Sequence, residues 1–81
     1  MEFIINGIYR HYKGNKYKAL GIATHSETLE KLVVYQALYG DYGIWVRPLE
    51  MFLEKVEISG VLVDRFALVD TEGTIDKSRS L

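Results

Sequence analysis

His25 and Glu27 stand two residues apart, with Glu30 close behind and His11 as the second histidine of the chain. An imidazole and a carboxylate at this spacing share one face of a strand, where they can hold a divalent metal or move a proton. A tight metal site wants three protein ligands, and this chain has two histidines and no cysteine. The plainer reading of Thr24–Thr28 is therefore a solvated turn with a hydrogen-bonded His25. A second constellation is Arg10, His11, Tyr12, Lys13, Lys16, Tyr17 and Lys18, a run free of acidic residues in which rings alternate with cations. Such a hairpin can stack bases and neutralise phosphates of a single nucleic-acid strand. Its lysines would equally serve to keep an edge strand from pairing. Third, Tyr12, Tyr17, Tyr35, Tyr39, Tyr42 and Trp45 are enough rings to line the concave face of a small β fold beside Arg10 and Arg47. Rings give area at low entropic cost and a guanidinium gives a planar fork, which suits an extended peptide or a small anionic ligand. The competing arrangement places half of these rings in the core.

Other chemistry is poorly supplied. There is no Gly-x-Ser-x-Gly elbow, and Gly40-Asp41-Tyr42-Gly43 lacks the Lys-Ser/Thr ending of a phosphate loop. No catalytic residue and no cofactor are assigned. Arg47, just before the only proline, is read first as a structural residue that ties the following turn to a carboxylate such as Glu50.

These side chains must be positioned by one domain, because the chain has only 81 residues. A chain so short buries roughly 60% of its unfolded surface, so the core must be well filled. The composition meets that need with 48% hydrophobic residues and no disulfide to help. The absence of cysteine also fits a reducing, cytoplasmic setting. A formal net charge of −1 speaks against a general nucleic-acid binder. No apolar run approaches the length of a membrane span, and Met1–Asn6 lacks the pattern of a signal peptide. The partner is thus expected to be a protein or small ligand, with no membrane, on a monomer or homodimer.

The elements read as strands. Ile8 to Ile22 predicts a hairpin with a two-residue Gly14-Asn15 loop, which sets Lys13 against Lys16, Tyr12 against Tyr17, Arg10 against Ala19 and Tyr9 against Leu20. Tyr9, Leu20 and Ile22 would face inward, and Gly21 would mark a bend or a close approach of backbone. Lys31–Leu38, apolar on both faces, predicts a strand covered on two sides; after the Tyr39–Gly43 turn, Ile44–Arg47 supplies its partner, and the two form the central pair of the fold. Pro48 ends that strand and suits the first position of a short helical turn carrying Leu49, Phe52 and Leu53. The last hairpin turns at Ser59-Gly60, with Ile58 opposite Val61, Val56 opposite Val63, Lys55 opposite Asp64 and Glu54 opposite Arg65, the charges on the outer face. Phe66–Val69 continues it, and residues 70–81 form a frayed tail. The expected fold is mostly β: a small SH3-like open barrel or roll of five or six strands with one helical turn near 48–54.

Four blocks carry a family likeness: Gly7–Asn15, His25–Glu30, Leu32–Asp41 and Trp45–Glu54. Together they resemble the small bacterial family of domains of unknown function 1653, over about Gly7 to Phe66. The last hairpin departs from the family pattern at Val61, where a basic residue is usual, and at Asp64, where a proline is usual. The resemblance implies a compact, mostly β bacterial domain and brings no catalytic residues. The expected function is a non-catalytic binding module whose ligand contacts are Arg10, Tyr12, Tyr17, Tyr35, Trp45 and Arg47. The alternatives are a metal-binding or hydrolytic domain using His25 and Glu27, and a single-stranded nucleic-acid binder using the first hairpin.

Overall fold

The computed structural model describes residues 3–71. Its elements run β1 (Gly7–His11), β2 (Lys16–Thr24), β3 (Lys31–Ala37), β4 (Ile44–Pro48), α1 (Leu49–Phe52), β5 (Lys55–Ile58), β6 (Val61–Asp64) and β7 (Phe66–Thr71). Five strands form one antiparallel sheet in the order β4-β3-β2-β1-β7, and β5 and β6 form a separate ribbon. The chain is mostly β with one helical turn, as expected. There are seven described strands rather than five or six, because Phe66–Thr71 leaves the last hairpin and joins β1. The sheet is open: β4 and β7 end it and do not pair with each other. β7 also runs through Asp70 and Thr71, two residues into the tail expected from 70; the remainder of that tail, 72–81, lies outside the described residues.

One face of the sheet is covered. Val33, Tyr35 and Ala37 alternate along β3 and are all buried, and Tyr9 and Ala19 join them from β1 and β2. Phe52 from α1 and Phe66 from β7 complete the cluster, and Phe3, Tyr17, Leu49 and Leu53 pack around it. Phe52 lies at its centre, 1% exposed, stacked on Phe66 at 4.1 Å between ring centroids and edge-on to Tyr9 and Tyr35. The opposite face of β3 (Leu32, Val34, Gln36) is only half-buried, so β3 is covered on one side rather than two. β4 is an edge strand rather than half of a central pair.

Pro48 occupies the N-cap of α1, one position earlier than expected, with φ −52° and ψ 138°. Its fixed φ suits the extended-to-helical transition, and the helix stops after one turn at Leu53. That turn points Leu49, Phe52 and Leu53 back onto the sheet.

The first hairpin departs from expectation. His11 N–H donates to Asn15 O (2.8 Å) and Gly14 N–H to His11 O (2.7 Å), leaving Tyr12–Gly14 as a three-residue loop. Gly14 takes a φ of +115°, which favours glycine there. Tyr9 thus faces Tyr17, and Arg10 faces Lys16. This register differs by three residues from the two-residue-loop expectation, and an odd shift exchanges the faces. Tyr17 and Ala19 consequently join Tyr9 on the core side. Ile22 lies on the Val33 side, as expected, but is exposed there, beyond the reach of the cover. A bulge between Ala19 and Gly21 then offsets β2 against β3. A side chain at Gly21 would meet nothing within 4 Å, so this glycine accompanies a bend and not a close backbone approach.

The last hairpin has the expected register. Ser59 and Gly60 both have positive φ, 52° and 81°, the signature of a type I′ turn. Lys55 bonds Asp64 at 2.8 Å and Arg65 bonds Glu54 at 3.2 Å. The two pairs are adjacent in register, so they lie on opposite faces of the ribbon rather than both on an outer face. Arg65 also fastens the ribbon to the sheet, since its carbonyl accepts from Tyr12 N–H at 2.9 Å.

Candidate functional site

A shallow cavity of about 190 Å³ opens on the covered face of the sheet beside β4, lined by Tyr17, Tyr35, Tyr39, Trp45 and Arg47. The ladder puts it together. Tyr35 faces Trp45 and Val33 faces Arg47 across β3 and β4, so Trp45 and Arg47 project from the same side as the buried β3 residues. β4 is an edge, however, and the cover provided by α1 does not reach its start. Tyr35 is therefore 5% exposed while Trp45 is 58% exposed. One ring thus forms the floor and the other the rim.

The floor is rigid. Tyr35 stands edge-on to Tyr17, Phe52 and Phe66, with centroids 5.3 to 5.6 Å away. Tyr17 and Tyr39 hydroxyls hydrogen-bond each other at 2.8 Å. Burial first, and then the bond to Tyr39, push the Tyr17 phenol up to about 12. Arg47 Nε donates to Tyr35 Oη at 3.4 Å, and its guanidinium carbon lies 5.6 Å from the Phe66 centroid, a cation–π arrangement. Among the described residues no carboxylate reaches Arg47 within ion-pair distance; the tie to Glu50 expected from the sequence is not made.

Positive charge gathers next to this floor. His11 packs edge-on against Phe66 at 4.9 Å. Its pKa is held below the ordinary imidazole value, first by burial and then by the charges of Arg47, Arg65 and Lys13. Its Nδ1 accepts the Lys13 backbone N–H at 3.2 Å.

Of the six ligand-binding residues expected from the sequence, Tyr17, Tyr35, Trp45 and Arg47 meet in this bowl. Arg10 alternates with buried Tyr9 and points to the other face, opposite Lys16. Tyr12 sits on the first loop, against His11 and within 5.8 Å of Lys13 Nζ. Tyr42, expected among the rings, is exposed on the β3–β4 loop. Phe66 and His11, beneath and beside Arg47, were not among the expected contacts. Phe66 arrives through the pairing of β7 with β1, for which the local sequence carries no signal.

The other two constellations are arranged differently from expectation. His25 and Glu27 lie on the β2–β3 turn and not along a strand. His25 Nδ1 accepts backbone N–H groups of Glu27 (3.1 Å) and Thr28 (3.3 Å), so the imidazole shapes the turn. Among the described residues no three His, Asp or Glu side chains gather as metal ligands. In the first hairpin, Tyr17 faces the core while Arg10, Lys16 and Lys18 occupy the other face, so the ring and these cations do not share a surface. A larger cavity of about 270 Å³, lined by Glu30, Lys31, Leu49 and Glu50, offers two carboxylates, one ammonium and no ring. It lacks the convergent donors of the bowl, which makes the bowl the better candidate despite its size. No helix among the described residues is long and apolar enough to cross a membrane.

Comparison with known proteins agrees with this architecture. No curated protein matches the chain. A solved structure, the crystal structure of a DUF1653 protein from Bordetella bronchiseptica, is 42% identical to it, with a TM-score of 0.77 over 86% of this chain and 91% of that one. The model of the family described as "Protein of unknown function (DUF1653)" matches residues 7–68. The chain with this open, five-stranded sheet and its ring-lined bowl belongs to the DUF1653 family.

Proposed function

We propose that this domain is a non-catalytic binding module that takes a small anionic ligand, or an acidic group on a peptide, in the bowl formed by Tyr17, Tyr35, Tyr39, Trp45 and Arg47. The observation that carries this reading is the surplus of donors over acceptors at the rim. Arg47 spends one N–H on Tyr35 and has no carboxylate among the described residues. The Trp45 indole N–H makes no hydrogen bond among the described residues, and of the two hydroxyls of Tyr17 and Tyr39 only one can donate to the other. An anion with a planar apolar body matches this set: the charge meets the guanidinium fork and the body lies on the rings. The cations that depress His11 leave the same corner electropositive.

Phenyl phosphate is a suitable probe, with phenol and inorganic phosphate as its two halves. Trp45 is the only tryptophan, so its fluorescence reports the site directly. Phenyl phosphate is expected to quench it saturably and more tightly than either half. Arg47→Ala should weaken binding by about tenfold or more, the value of a charge-assisted hydrogen bond. A bound anion also offsets the Arg47 charge felt by His11, so the His11 pKa should rise on binding, as read by NMR titration. Unchanged Trp45 fluorescence and an unchanged His11 titration at millimolar probe would reject the anion site.

A further inference from the structure

β4 is an edge strand whose usual protections, a charge and a proline, are confined to its end at Arg47 and Pro48. Ile44, Trp45 and Val46 follow one another at 62%, 58% and 58% exposure, the strand contains no lysine or acid, and its pairing with β3 shows no bulge. An edge of this kind is a template for another strand. Its free groups can be assigned. Ala37 N–H donates to Gly43 O at 2.9 Å, and in an antiparallel ladder the bonded pairs alternate. Trp45 and Arg47 therefore turn their peptide groups toward β3, while Ile44, Val46 and Pro48 turn theirs outward. Pro48 thus lacks its N–H on the open side, where the β3 ladder loses nothing.

We propose that β4 is a homodimerisation edge: two copies of the chain join their β4 strands antiparallel about a two-fold axis at Val46, setting Trp45 of each copy against Arg47 of the other. In this register Val46 pairs with Val46 of the second copy through two backbone hydrogen bonds. Each Ile44 N–H reaches the carbonyl of the opposing Pro48, which uses the one backbone group that proline has. Trp45 and Arg47 fall directly opposite each other on the face that carries the bowl, where cross-strand side chains are closest and an indole can meet a guanidinium. The edge therefore carries both halves of its own complementary pair, with neutral Val46 on the axis and no like charges opposed. That self-complementarity selects a second copy over a foreign strand. The dimer would extend the sheet to ten strands and bring two bowls side by side across the axis. This inference does not depend on the anion reading.

Analytical ultracentrifugation of the full chain over a micromolar-to-millimolar series, without any ligand, tests it. The expected result is a concentration-dependent monomer–dimer equilibrium. Val46→Lys, which puts like charges across the axis on an exposed position, should raise the dimer Kd by about tenfold or more while leaving the far-UV spectrum unchanged, and the melting temperature unchanged at concentrations where both proteins are monomeric. Val46→Pro removes an outward N–H and should act in the same direction. In a sample mixed from isotope-labelled and unlabelled chains, filtered NMR should show contacts between the Trp45 indole and the Arg47 side chain of the other copy. A monomer throughout the series overturns the proposal, leaving the edge to a foreign strand. A dimer insensitive to both variants, or one lacking the Trp45–Arg47 contact, overturns it too by placing the interface elsewhere.

Discussion

Phe52 concentrates more of this domain's cohesion than its position on a single helical turn suggests. Four rings touch it: Phe3, Tyr9, Tyr35 and Phe66. Phe52→Ala would remove that hub and leave a cavity the sheet cannot close, at a cost of about 3–5 kcal/mol. In a domain of this size such a loss takes most of the stability, so urea denaturation should show a midpoint near zero denaturant. Tyr17 provides a second residue-scale test. Its folded pKa of about 12 lies above the ordinary value of 10.0, so the protonated phenol is favoured by folding. The contribution is full below pH 10, falls as pH rises toward 12, and is gone above that. Tyr17→Phe should flatten the alkaline part of a stability–pH curve and lower stability at neutral pH by about 0.5–1.5 kcal/mol, the value of one hydrogen bond. Trp45 and Arg47 could be placed together from the sequence because they share a strand face at spacing two, whereas Tyr17 reaches the bowl only through a register that the sequence left open. Arg10 lies on the other face for a reason one level up, in the register of its strand.

At the scale of elements, turns decide how far a sequence can be read. Ser59-Gly60 between Ile58 and Val61 admits one plausible loop, and the register, the turn and both ion pairs follow from it. Gly14-Asn15 satisfies two rules at once, as a two-residue loop or as the glycine end of a three-residue loop, and the alternatives differ by an odd number of residues. Tyr17 and Ala19 change faces between the two registers, while Ile22 keeps the side of Val33 because of the bulge in β2. β3 hid a different feature: Leu32 and Val34 are as apolar as Val33 and Tyr35, so composition alone suggested cover on both sides. The ribbon offers a direct test. Asparagine tolerates the left-handed region better than serine, so Ser59→Asn should stabilise the domain by a few tenths of a kcal/mol, about 0.5. Gly60→Ala forces a side chain to a φ of 81° and should cost about 1–2 kcal/mol. Thermal melts of the two variants should therefore shift in opposite directions. Lys55→Ala should move the melt little, because its pair with Asp64 is half exposed on both sides.

For the whole molecule, the separation of roles follows from one sheet covered on one face. Phe52 and Phe66 close the middle, β1 and β2 support the floor tyrosines, and the uncovered end of β4 leaves Trp45 and Arg47 at the rim. Binding at the rim should thus be separable from stability: Trp45→Ala is expected to reduce probe binding while changing the melting temperature far less than Phe52→Ala does. The strand order has a further result for how the chain is made. β1 lies between β2 and β7, and β7 is the last described strand to be synthesised. A nascent chain on the ribosome can form the β2–β3–β4 meander early, yet the pairing of β1 with β7 and the stack of Phe66 on Phe52 must wait until residue 71 has emerged. Completion of the sheet should therefore be paced by a contact between strands about sixty residues apart in the chain. Chains stalled or cleaved before Phe66 would expose the Phe52 face and be removed by proteolysis.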